Sequence, residues 1–94
     1  MNAQELTLNI AVNLGRLGRW ALEGKRSRID QFLKETEGFV EQLEHTSKSP
    51  RFLPTFILFK EKFKTLKANV GLNDVWAEEV FTWANILTHR AKLT

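Results

Sequence analysis

Glu41 and His45 stand four residues apart, the spacing that puts two side chains on one helix face, so a carboxylate and an imidazole could share a metal ion. Two ligands do not make a site, and the wider patterns do not complete one. Di-iron bundles use Glu-x-x-His on two helices. Here the residue three before His45 is Gln42, and three before His89 it is Ile86. Gly24-Lys25 falls short of a phosphate loop, because the required earlier glycine is Arg19 and the following residue is Arg26, not Ser or Thr. Gly15-Arg16-Leu17-Gly18 spells GXXG, but that loop belongs to a fold with a sheet, and no sheet is predicted. Ser27, Ser47 and Ser49 sit where turns and caps are expected. The chain has no cysteine, which removes disulfides, Cys-ligated zinc, iron–sulfur clusters and a thiol nucleophile. Trp76 and Trp83, at helical spacing, read as core and not as a ligand box. The expectation is a non-enzymatic protein with no catalytic, metal or cofactor residue and no evident small-molecule substrate.

What remains is binding chemistry. Lys25, Arg26 and Arg28 crowd one turn, with Arg16 and Arg19 on the helix leading into it. Cations at a helix N-terminus, beside free N–H groups, attract phosphate or an acidic protein surface. The bland alternative is a solvated turn. Trp20 is the one aromatic close by, whereas a single-strand stacking platform usually wants several.

Two ionic rows are the other charge feature. Asp30, Glu37, Glu41 and Glu44 share one flank of the second helical segment, and Lys60, Lys64 and Lys67 share the corresponding flank of the third. In an antiparallel pair, flanks of the same rotational sense face each other, so these rows are expected to line a common seam. The competing reading makes the lysines, with Lys48 and Arg51, an anion-binding strip.

These side chains are positioned by four amphipathic segments with apolar residues spaced three and four apart. Gly24, the stretch Thr46 to Pro50, and Gly71-Leu72-Asn73 divide them. The predicted fold is an all-α, up-down-up-down antiparallel four-helix bundle, one domain over 1–94, with helices at about 3–23, 28–46, 54–70 and 74–91. Asn2 with Glu5 resembles a capping box for the first helix, and Ser27 with Asp30 one for the second. Pro54 implies a short turn at 50–53 before the third helix, whose face reads Phe52, Phe56, Phe59, Phe63, Leu66, Val70. Gly15 and Gly18, with Ala11, are expected to form a small-residue surface that permits close approach.

The chain has 94 residues, 43% of them hydrophobic and 27% charged, with net charge +3, which fits a globular domain with a core small enough that dimerisation would supplement it. The longest apolar run, Phe56 to Phe59, is far short of the roughly 20 residues that span a bilayer. The first residues lack the basic start of a signal peptide, so cytoplasmic residence and no membrane partner are expected. Apolar residues also lie off the core faces: Leu8, Val12 and Leu22 on the first helix, Leu58 on the third, and Val75 and Ile86 on the fourth. They are candidates for an interface. The leading expectation is therefore a small interaction or regulatory protein that presents helical surface to a protein partner, a homodimer included. The rival is a nucleic-acid-associated regulator using the basic turn.

Overall fold

The computed structural model describes residues 1–94. It contains α1 (Ala3–Glu23), α2 (Arg26–Glu44), α3 (Leu53–Ala68) and α4 (Asp74–Arg90), followed by a 3-10 turn over Ala91–Leu93, and no strand. The four helices run up-down-up-down, as their spacing predicts.

The helix ends follow from local chemistry. The Asn2 carboxamide accepts from the Glu5 N–H at 2.8 Å, and the Glu5 carboxylate accepts from the Asn2 N–H, which completes the expected capping box. Gly24 closes α1 in the left-handed conformation (φ 71°), a region that favours glycine. The start of α2 differs from expectation. Ser27 and Asp30 form no capping box, and α2 begins at Arg26 with Lys25 as an N-cap that supplies no side-chain bond. The cause is the reversal at Gly24. It returns the chain so abruptly that the Lys25 carbonyl already accepts from the Ile29 N–H. Asp30 is then free to pair with Arg26 at 3.1 Å. At its other end α2 stops at Glu44, two residues early, and the Lys48 ammonium donates to the carbonyls of Leu43, Glu44 and Thr46. Pro54 sits in the first turn of α3, where its missing N–H costs nothing. The Asn73 side chain caps α4 by accepting from the Trp76 N–H.

Side-chain size sets the helix spacing. α1 packs closely against α2 and α4, while α3 stands off behind its phenylalanines. Gly18 is the reason Phe81 of α4 can lie on α1: a Cβ there would come within 2.5 Å of the ring. Gly15 does not share this role, because a Cβ at that position would meet nothing. It lies 60° round the helix from Gly18, outside the packed face. The interior is filled by Leu6, Ile10, Leu14 and Leu17 of α1, Ile29 and Leu43 of α2, Phe52, Phe59 and Phe63, and Trp76, Val80, Trp83 and Leu87 of α4. Phe59 stacks on Phe63 and tilts against Trp83, each with centroids 5.5 Å apart. Polar groups inside are paired. The Trp76 indole N–H donates to the Leu66 carbonyl, the Thr7 and Thr36 hydroxyls donate to carbonyls four residues back, and no buried side-chain N or O lacks a partner.

The C-terminal residues are tied in. Ser49 donates from its N–H to the Thr94 carbonyl and from its hydroxyl to the Leu93 carbonyl, and the 3-10 turn packs against α1 and α4. No helix is long and apolar enough to cross a membrane.

Candidate functional site

Two surfaces gather the polar side chains. The first is an open groove of about 360 Å³ between α2 and α3, floored by Val40 and Phe63 and rimmed by Glu37, Glu41, Glu44 and His45 on one side and Lys60, Lys64 and Lys67 on the other. The ionic rows do meet here. Lys60 pairs with Glu44, and Lys67 pairs with Glu37 at 3.0 Å. Glu41 and Lys64 fall between these two pairs and form no ion pair. Asp30 is absent from the seam, being held by Arg26. The hydrogen bond from Lys60 lowers the Glu44 pKa below its ordinary value, with help from the charges of Lys60, Lys48 and His45 and against partial desolvation. This arrangement argues against an anion-binding strip. Lys60 and Lys67 face carboxylates, and Lys48 is spent on the end of α2. Nor do three or more His, Asp or Glu side chains converge anywhere as a metal-binding group.

The second surface is the outer seam between α1 and α2. The reversal at Gly24 sets their register, so that Asn13 lies opposite Glu35, Arg16 opposite Phe32, and Trp20 opposite Arg28. Asn13 donates to the Glu35 carboxylate at 2.8 Å. The Trp20 and Phe32 rings meet edge to face with centroids 4.8 Å apart. The Arg16 guanidinium lies 6.0 Å from the Phe32 ring centre, and that of Arg28 lies 5.7 Å from the Trp20 ring centre. Helical spacing alone would put Phe32 in the core with Ile29, Leu33 and Thr36, yet it is only half-buried and stands at the rim.

The basic residues singled out in the sequence thus divide into two groups. Lys25 pairs with Glu23 at 3.5 Å and Arg26 with Asp30, so the turn itself is largely compensated. Arg16, Arg19 and Arg28 are exposed and have no carboxylate partner.

The off-face apolar residues also divide. Leu8, Val12 and Leu22 are exposed along the outward side of α1. Leu58 is exposed on α3 and Val75 on α4. Ile86 is not a stray surface residue, because it is half-buried against the core. The pairs Arg90 with Thr55 and Trp76 with Leu66 fix the α3–α4 register, which brings Ile86 level with Leu58 and leaves Val75 near the opposite end. The six candidates therefore do not make a single patch.

Comparison with protein-family models, with curated protein sequences and with solved structures finds no match to this chain. The functional reading accordingly rests on the two surfaces and the apolar face of α1.

Proposed function

We propose that this chain is a non-enzymatic helical interaction protein that presents the exposed side of its bundle to a protein partner, a second copy of itself being one such partner. The reading further places it in the cytoplasm, where a chain without cysteine forgoes nothing in stability. The observation that carries it is the outward side of α1. This helix is packed against two neighbours, yet Val12 and Leu22 remain more than half exposed, with Leu8 one turn before Val12. The interior meanwhile is closed and its polar groups are paired. Apolar groups left on the outside of a satisfied bundle are the raw material of an interface. Sedimentation equilibrium from micromolar to millimolar concentration tests the self-association arm. The expected result is a concentration-dependent dimer that Val12→Glu abolishes. A strict monomer over that range discards the homodimer and leaves a different protein partner.

The nucleic-acid reading keeps one supporting observation, the unpaired Arg16, Arg19 and Arg28. Its test is a DNA- and RNA-binding assay across a salt series, in which true backbone binding weakens steeply as salt rises. Absence of binding at low salt removes it.

A further inference from the structure

We infer that the α1–α2 seam built from Arg16, Arg19, Trp20, Arg28 and Phe32 is a docking surface for an acidic segment of a partner protein. This deepens the interaction reading by naming the partner's chemistry.

Charge is the first support. The chain holds 14 basic and 11 acidic residues. Between Asn13 and Glu35 there are six basic residues (Arg16, Arg19, Lys25, Arg26, Arg28, Lys34) and three acidic ones (Glu23, Asp30, Glu35). This excess is local to the turn end, because the α1–α2 hairpin as a whole, Ala3–Glu44, carries six basic and seven acidic residues. At the turn end, the acids Glu23 and Asp30 are already taken by Lys25 and Arg26. Arg16, Arg19, Arg28 and Lys34 remain without an ion pair, and the third acid, Glu35, accepts from Asn13.

Geometry is the second. An arginine resting against an aromatic ring still has N–H groups that can grip a carboxylate. The Arg16 and Arg28 guanidiniums lie within cation–π reach of the seam's rings, respectively 6.0 Å from the Phe32 centre and 5.7 Å from the Trp20 centre. Holding them beforehand lowers the entropy cost of binding. Arg28 is level with Trp20, so the backbone positions of Arg16 and Arg28 differ by about one helical turn along the bundle axis. Arg19 adds a third donor on the outward side of the same stretch. Trp and Arg are also the side chains most often found at the energetic centre of protein interfaces.

Nucleic acid fits less well. Single-strand platforms use several free ring faces for bases, and here only two rings are present, packed edge to face on each other. A duplex rewards a long track of phosphate contacts, whereas three free arginines lie together in one part of a 37 Å molecule.

The test uses the full chain and a fluorescein-labelled, alanine-based helical peptide with glutamates at i and i+4, read by anisotropy at low salt. A 20-nucleotide single strand and a 20-base-pair duplex serve as parallel probes. Arg16→Gln/Arg28→Gln removes two cations from the seam. Lys60→Gln/Lys67→Gln removes the same charge from the groove. Circular dichroism confirms that both variants are folded. The expected result is peptide binding that weakens roughly tenfold or more in the seam variant and less than about twofold in the groove variant. Equal weakening in both would reduce the effect to net charge and overturn the assignment. Tighter binding of either nucleic acid than of the peptide would overturn it in favour of the rival reading. No peptide binding would sink the acidic partner; a Val12-dependent dimer beside it would spare the interaction reading, and a strict monomer would leave that reading only a partner of different chemistry.

Discussion

The α1–α4 and α2–α3 contacts solve the same problem by opposite means. Between α1 and α4 the surfaces are small and shaped: Ala11, Gly18 and Ala21 on one helix, Ala77 and Ala84 on the other, with the Phe81 ring laid into the gap at Gly18. Between α2 and α3 the filling is large, the helices stand apart, and the rim is closed by two ion pairs over a groove. Shape complementarity fixes position through repulsion at short range, so a single methyl is felt. Exposed ion pairs fix identity: they decide which helices are neighbours while adding little stability. The fold uses shape where helices touch and charge where they do not.

The comparison can be broken most severely from the aromatic side. Phe59 is fully buried between Phe63 and Trp83. Phe59→Ala is expected to cost about 3–5 kcal/mol in chemical denaturation, from the lost burial together with the cavity left behind. A loss under about 1 kcal/mol would mean that α3 repacks freely. Gly18→Val is expected to cost about 1–3 kcal/mol by driving Phe81 from its seat. Gly15→Ala, three residues away, should instead stabilise by about 0.5–1 kcal/mol through helix propensity, because its Cβ enters open space. If the two glycines respond alike, the shape argument fails. Lys67→Gln should cost only about 0–1 kcal/mol and should lose its effect in high salt. The smallest effect concerns pH. Glu44 has a lowered pKa in the folded chain, so its share of stability is complete above the ordinary carboxylate pKa and disappears as pH falls through the lowered value. Glu44→Gln should flatten that part of an acid-denaturation curve, and an unchanged curve would remove Glu44 from the account.

Much of this was legible in the order of residues. Apolar spacing and the Gly and Pro breaks suffice for four helices, and angular position along α2 and α3 suffices to bring Glu44 to Lys60 and Glu37 to Lys67. The α1–α2 seam was not. Its partners lie on different helices, and their register follows from the two-residue reversal at Gly24, which a capping-box pattern at Ser27 obscures. Distinguishing Gly15 from Gly18 likewise required knowing where Phe81 falls, and Ile86 looked free only because periodicity ignores how far a half-facing side chain reaches toward its neighbour.

The 3-10 turn that packs on α1 has a practical consequence for topology. It brings the last residues of the chain beside the first helix, while the α3–α4 connection lies at the far pole. A few glycines and serines joining Thr94 to Met1, with new ends opened at the exposed Leu72, would yield a circular permutant that keeps every helix pair described above.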